Sequence, residues 1–412
     1  MVISLFQIDS NSEFGFLSML IPEAYESEVR KNAVGTMQDA ANSLQWSIYS
    51  GLTKTLKNSP IRIFNILPIG SFPQYYKKSY IKSNYFSTKA SDTNINIGFC
   101  NLKLVRKYDQ TRRIYRELSQ WCHNSNIDQI LIVYTINPTY IKAISKLKGK
   151  YPNLKICAIV ADLPNMVSLS SNKSLLKQAY EKHASKIAYK HLGNIDCFVL
   201  LTKYMADYLK IKQPYCVIEG ISTEIQEITL PRKSKHILYS GTLHKRFGII
   251  NLLNAFKKIN DPEYRLYICG TGDSEKEILE SSKEDPRIVY LGQIKRNDVL
   301  QLQQTMNAVI NPRQNIEEFT KYSFPSKNLE YLSSGVPLIA YKLDGIPEDY
   351  DPFINYVENN SVEALQKCIQ IVCEDTTGQF IEKARKGQLY VLNEKNDIKQ
   401  VSKIIDLLRK IK

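Results

Sequence analysis

No run of eighteen apolar residues occurs in the 412-residue sequence, so no segment has the length and hydrophobicity of a membrane-spanning helix. The opening residues, Met-Val-Ile-Ser, lack a basic stretch followed by an apolar core and a small-residue cleavage site, and a reducing cytoplasmic setting is expected. Internal repeats and extended polar tracts are absent too. With 43% hydrophobic and 23% charged residues, the chain reads as globular throughout. There is no Cys-x-x-Cys pair. The eight cysteines, Cys100, Cys122, Cys157, Cys197, Cys216, Cys269, Cys368 and Cys373, nowhere fall at zinc spacing with a histidine, and most lie in apolar stretches that suit buried thiols.

What is abundant is positive charge. Lys and Arg number 55 against 41 Asp and Glu, a formal net charge of +14. Residues 1–220 hold 28 Lys/Arg against 15 Asp/Glu, an excess of 13, so the imbalance belongs to one half of the chain. Such a half attracts polyanions, whether nucleic acid, an anionic membrane surface or a phosphorylated lipid, without choosing among them. No recognisable nucleic-acid-binding motif accompanies the charge, despite 26 tyrosines, and nucleic acid is not an expected partner.

The length suits two domains of roughly 200 residues. Strand-length apolar segments recur at Phe14–Leu20, Ile61–Leu67, Ile130–Tyr134, Lys155–Val160 and Cys197–Leu201, then at His236–Ser240, Arg265–Cys269, Ile288–Tyr290, Ala308–Ile310 and Pro337–Ala340. Helical patterns fall near Ala40–Lys57, Lys107–Asn124, Pro138–Lys148, with Gly149 as its stop, and Lys173–Lys190. Short continuous strands alternating with helices predict an α/β protein of two doubly wound, Rossmann-like domains with parallel sheets. The expected domains are 1–220 and 221–396, with a junction near Glu219–Pro231 and a closing amphipathic helix, 397–412, able to pack back on the first.

In such sheets ligands sit outside the carboxyl ends of the strands, which directs attention to the turns that follow them. After His236–Ser240 comes Gly241-Thr242-Leu243-His244-Lys245-Arg246-Phe247-Gly248, where a glycine turn leads into a helix with two cations beside its positive end, a seat for a diphosphate. Gly270 and Gly272 of Gly270-Thr271-Gly272-Asp273 permit close backbone approach, though this motif alone is weak. Gln293 and Ile294 follow the third strand, in a turn that either contacts a base edge or simply ends the strand. In Tyr322-Ser323-Phe324-Pro325-Ser326-Lys327-Asn328-Leu329-Glu330, the donors of Ser323, Ser326, Lys327 and the backbone around Phe324 and Pro325 suit a diphosphate, with Glu330 about one turn on, within reach of a ribose diol. The same residues read equally as an ordinary helix start.

Taken together and in order, G-T-L, Y-I-C-G-T-G, V-Y-L-G-Q, F-P-S-K-N-L-E-Y-L-S-S-G-V-P-L-I-A and L-D-G-I-P-E resemble the retaining glycosyltransferases of GT-B fold, in particular the bacterial exopolysaccharide and lipopolysaccharide enzymes of glycosyltransferase group 1. The likeness is strongest over Ile237–Asp349 and weaker over Phe14–Gly220, through A-N-S-L-Q-W, P-I-G-S-F-P, A-D-L-P-N-M and L-L-T-K-Y-M-A. It implies two domains facing each other across a cleft. It also implies transfer from a nucleoside-diphosphate sugar, UDP-sugar favoured, with retention, leaving-group charge neutralised by Arg246 and Lys327, and neither metal nor cofactor. The sequence agrees in having no D-x-D followed by a histidine, and the five histidines, His123, His183, His191, His236 and His244, form no ligand spacing. Two positions depart from the family: Tyr322 replaces the first of its paired glutamates, for which Glu317 or Glu318 could substitute only through a rearranged loop, and Thr242 replaces a basic residue. Those departures leave open a non-catalytic sugar-nucleotide-binding partner, a sugar-nucleotide epimerase shares the fold, and the +14 charge keeps a basic nucleic-acid-binding protein as a rival reading.

In the first half, Asp162 follows a strand and either orients or deprotonates the acceptor hydroxyl or caps a turn. Asn42 and Ser43 near a helix start, and Gly70 and Ser71, either line the cleft or serve local structure. The implied acceptor is a saccharide, or one carried on a polyprenyl diphosphate. Tyr75-Tyr76-Lys77-Lys78-Ser79-Tyr80-Ile81-Lys82 is a candidate contact with the inner membrane face or, equally, a solvated loop.

Overall fold

The computed structural model describes residues 12–35, 37–57, 59–89, 91–125, 127–163, 175–225 and 232–411. The Pro164-Asn165-Met166 end of the A-D-L-P-N-M segment, the expected helix start at Lys173 and most of the expected linker, 226–231, lie outside them. The described residues form two compact units: one runs to Glu219 and resumes at Asp397, and the other holds Gly220–Asn396.

The first unit contains β1 (Glu13–Ser18), β2 (Ile61–Asn65), β3 (Tyr80–Ile81), β4 (Asn84–Thr88), β5 (Ser91–Asn96), β6 (Phe99–Cys100), β7 (Gln129–Tyr134), β8 (Lys155–Val160), β9 (Cys197–Leu200) and β10 (Tyr215–Val217). Eight of these make one sheet in the order β10-β9-β8-β7-β1-β2-β5-β4, parallel except for the β4–β5 edge pair, while β3 and β6 pair separately. All six residues of β7 are buried, as a strand covered on both faces requires. The helices are α1 (Glu23–Asn32), α2 (Asp39–Thr55), α3 (Arg106–His123), α4 (Pro138–Lys150), α5 (Leu175–Lys190) and α6 (Tyr204–Leu209). Asn137 caps α4 by accepting from the Tyr140 amide at 3.0 Å, with Pro138 in the first turn. That helix runs through Gly149 to Lys150, so the expected stop at Gly149 is corrected: the glycine lies in the last turn, with open space around it, and nothing there forces an end.

The second unit contains β11 (His236–Ser240), β12 (Arg265–Cys269), β13 (Ile288–Gly292), β14 (Ala308–Asn311), β15 (Leu338–Ala340) and β16 (Asn355–Tyr356), with α7 (Ile249–Lys257), α8 (Glu275–Glu284), α9 (Arg296–Gln304), α10 (Ser326–Ser333), α11 (Val362–Cys373) and α12 (Gln379–Glu394). Its parallel sheet runs β13-β12-β11-β14-β15-β16, so strand order reverses between β11 and β14. That reversal parts the connecting loops and opens a crevice at the carboxyl ends of those two strands.

The last helix, α13 (Asp397–Lys410), belongs to the first unit. Its buried Gln400, Val401, Ile404, Ile405, Leu407 and Leu408 form one helical face. Asp397 accepts from Ser50 Oγ at 2.7 Å and Lys54 Nζ at 2.5 Å on α2. Gly51 makes this approach possible, since a Cβ there would stand 2.5 Å from the Asp397 carbonyl oxygen.

Candidate active site

The turns beyond β11, β12 and β14 are locked to one another through their backbones. Gly270, at φ 132°, lies so close to the Gly241 carbonyl that a Cβ would stand 1.8 Å from its oxygen. Gly248, at φ 82°, presses in the same way on the Pro312 carbonyl just past β14, at 1.9 Å. Both positions combine positive φ with no room for a side chain, which only glycine tolerates. The Leu243 amide donates to the Thr271 carbonyl at 2.9 Å, a Cβ on Gly272 would meet the Leu243 oxygen at 2.3 Å, and the Tyr239 hydroxyl donates to the Thr242 carbonyl at 2.8 Å. The Thr242 side chain is exposed. In the third turn, the Gly270 amide donates to the Gly292 carbonyl at 2.8 Å, leaving Gln293 exposed and Ile294 packed against the core.

A charged cluster adjoins this scaffold at the start of α10. Lys327 Nζ donates to Glu330 Oε1 at 2.7 Å, Gln303 Nε2 donates to the same oxygen at 2.8 Å, and Arg296 Nη2 lies 3.7 Å from Oε2. Burial alone would raise the Glu330 carboxyl, yet Lys327, Gln303 and Arg296 together hold it below the usual glutamate range. The Lys327 stem crosses Gly241, its Cε 3.6 Å from where a Cβ on that glycine would be. Gly241, Lys327 and Glu330 are thus brought together. Ser326 is exposed at the first position of the helix, while Phe324 and Pro325 are buried and fix its entry.

A second cationic group flanks the other side of the reversal. Arg246 Nη2 donates to Glu317 Oε2 at 2.5 Å, and its guanidinium stacks 4.0 Å from the Phe319 ring centre. Arg313, two residues past β14, stacks on the same ring at 4.2 Å and donates to Ser323 Oγ at 2.7 Å. Burial, and then the neighbouring Arg246 charge, pull the Arg313 guanidinium down to about 10. Lys245 turns away, pairing with Glu277 on α8, so Arg246 is the cation of that turn facing the crevice residues. The sequence reading missed Arg296, Gln303, Arg313 and Phe319. Arg313 was within its reach, because it occupies the position after β14 that the strand-end rule marks after every other strand.

In the first unit Asp162 lies two residues beyond β8 with part of its surface open to solvent, and partial desolvation raises its carboxyl above the usual aspartate range. The other candidates make local contacts. Asn42 Oδ1 accepts from the Ile21 amide at 2.8 Å, with Ser43 half-buried beside it on α2. Neither opens the helix, which starts at Asp39. Gly70 is pressed against Tyr75, where a Cβ would stand 2.1 Å from that of the tyrosine, and its carbonyl accepts from Asn101 at 3.0 Å. The Ser71 carbonyl accepts from the Tyr75 amide at 2.9 Å.

Residues 220–387 match the model of the family described as glycosyl transferases group 1. No curated protein sequence matches the chain. Among solved structures, the chain is similar to sucrose-phosphate synthase from Thermosynechococcus elongatus, at 14% identity over 97% of this chain and 98% of that one, with a TM-score of 0.65. It is similar to the lipopolysaccharide outer core galactosyltransferase WaaB, at 15% identity over 96% and 99%, TM-score 0.58. It is also similar to the pneumococcal O-GlcNAc transferase GtfA in complex with UDP and GlcNAc, at 14% identity over 81% and 71%, TM-score 0.52. At these identities the structural likeness establishes the fold, and the family match over the second unit supplies the chemistry. Residues 220–387 therefore carry a glycosyl transferases group 1 domain on a GT-B fold of two Rossmann-like units, and the protein is a glycosyltransferase.

Proposed function

We propose that the protein transfers a sugar, with retention and without a metal, from a nucleoside-diphosphate sugar to a saccharide or lipid-linked saccharide in cell-surface polysaccharide synthesis. The observation that carries this reading is the cluster at the β11–β14 reversal: Lys327 lies over Gly241 and is paired with a largely buried Glu330. A buried carboxylate held ionised can accept from both hydroxyls of a ribose, while Lys327 and Arg246 meet the diphosphate beside the backbone of two glycine turns. UDP is the favoured nucleotide because GtfA, a structural neighbour, is described with UDP and GlcNAc. A polysaccharide or lipopolysaccharide acceptor draws support from WaaB. Stabilising the departing diphosphate in this way is electrostatic preorganisation, and replacing Arg246 or Lys327 by Ala is expected to slow turnover by about a hundred- to a thousand-fold.

Asp162 is the proposed group that orients or deprotonates the acceptor. Membrane contact is proposed for the first unit, on a face that differs in detail from the segment Tyr75–Lys82. Tyr76 and Ile81 of that segment are in the core, leaving Tyr75 and Tyr80 exposed; β3 pairs with β6, beyond which Leu104 is 94% and Tyr108 75% exposed among lysines. Apolar side chains standing out from a basic surface fit an anionic bilayer.

The deciding experiment is a thermal-shift screen against uridine, guanosine and adenosine diphosphates and their sugar conjugates, since ligands of the native state raise its melting point. A selective shift that Glu330→Ala abolishes is expected. The absence of a shift with every nucleotide refutes the donor site.

A further inference from the structure

Arg246 and Arg313 stack on one ring, that of Phe319, at 4.0 and 4.2 Å, and among the described residues the carboxylate set against them is Glu317. Two like charges sharing one counter-ion leave a surplus positive charge in a crowded pocket, which is costly unless something anionic is meant to enter it. Hydrogen bonding points the same way: the Nε–H groups of both arginines are buried and find no acceptor among the described residues. The pair also stands where the fold opens, Arg246 in the turn after β11 and Arg313 two residues past β14. The Glu317 carboxylate covers this pocket from the solvent side, its side chain being 38% exposed against 20% for Arg246. It is the partner with freedom to leave.

We propose that Arg246 and Arg313 together seat one anionic group of the donor, and that Glu317 is an internal stand-in for that group which the donor displaces. The inference rests on the donor-site reading above. It goes further in making Arg313 a binding residue and Glu317 a competitor of the substrate. Planar guanidiniums suit either of two oxyanions, a phosphate of the nucleotide or a carboxylate on the transferred sugar. Displacing a resident carboxylate costs affinity, so neutralising it strengthens binding by the charged ligand and does little for an uncharged one.

The test is calorimetric titration of the wild-type chain, Arg313→Leu, Arg313→Lys and Glu317→Gln with UDP, UDP-glucose and UDP-glucuronate, repeated with GDP and ADP. Each variant is first shown to melt cooperatively. Arg313→Leu is expected to weaken binding about tenfold or more, Arg313→Lys less, and Glu317→Gln to tighten it severalfold. Equal losses with all three uridine ligands identify the diphosphate as the seated group, and a loss confined to UDP-glucuronate identifies the sugar carboxylate. Wild-type binding that Arg313→Leu retains within twofold, or that Glu317→Gln weakens, overturns the inference and leaves the donor site standing. A wild-type chain that binds no nucleotide removes both. Should Arg313→Leu fail to fold, the partly exposed Glu317→Gln decides the matter by the sign of its effect.

Discussion

Asp162 differs from the other candidate residues of the first unit in carrying a carboxyl, which desolvation raises above the usual aspartate range. The ionised carboxylate also acts on its surroundings, adding to the burial that pushes up the Tyr134 hydroxyl at the end of β7. A more basic carboxylate is better suited to take a hydroxyl proton, and only its ionised form can do so. Activity that depends on Asp162 must therefore rise with pH through a value above the ordinary aspartate range. Asp162→Asn is expected to lower kcat by about a hundred- to ten-thousand-fold and to erase that acid limb from the pH–rate profile. A residue that merely ends a turn would lower stability and leave the limb in place. At this scale the sequence was informative where a residue's chemistry is exhausted by its own neighbourhood, as for Lys327 and Glu330, three apart on one helix. It was silent where partners come from distant segments: Gln303 reaches Glu330 across 27 positions, and Arg246 reaches Glu317 across 71.

Among the elements, the contact of α13 with α2 is the most exposed to test. Asp397 caps the junction, and although burial pushes its carboxyl up, the bonds from Lys54 and Ser50 bring it below the usual range. A group whose folded value is depressed contributes stability above the unfolded value, about 3.9 for aspartate, and that contribution is lost as pH falls through the folded value. Asp397→Ala is expected to cost about 1–2 kcal/mol at neutral pH, a modest figure because Lys54 is half-exposed. The gap between the melts of variant and wild type should begin to narrow below about pH 4 and close as pH falls through the folded value; a gap that stays constant as the protein is acidified would show that the carboxylate is not its source. The same kind of element explains what could be read in advance. All ten strands read from the sequence are present with ends within two residues; most are buried on both faces and so continuously apolar, while β13, at the edge of its sheet, is only partly buried. The six others escaped: β4 and β5 are an edge pair built from N-Y-F-S-T and S-D-T-N-I-N, and β3, β6, β10 and β16 have two or three residues each, too few to show a period.

For the molecule as a whole, the uneven distribution of charge predicts uneven behaviour. Nearly all of the surplus, 13 of the net +14, lies in residues 1–220, along with exposed Tyr75, Tyr80, Tyr85, Leu104 and Tyr108. The protein should bind vesicles of anionic lipid at low salt and release them as salt is raised to a few hundred millimolar, because the attraction is screened within about 10 Å at 0.1 M. Replacing Leu104 and Tyr108 by serine should weaken that binding, and sedimentation of protein with vesicles that is unaltered by both salt and these changes would refute the membrane face. The placement of α13 has a consequence of another kind. The second unit is one uninterrupted stretch, Gly220–Asn396, whereas the first needs the segment from Asp397 onward to cover the face of α2. During synthesis the unit begun first is the one finished last. Its helix waits uncovered until the entire second unit has been made, so a truncated or stalled product would hold a complete second unit and an incomplete first one.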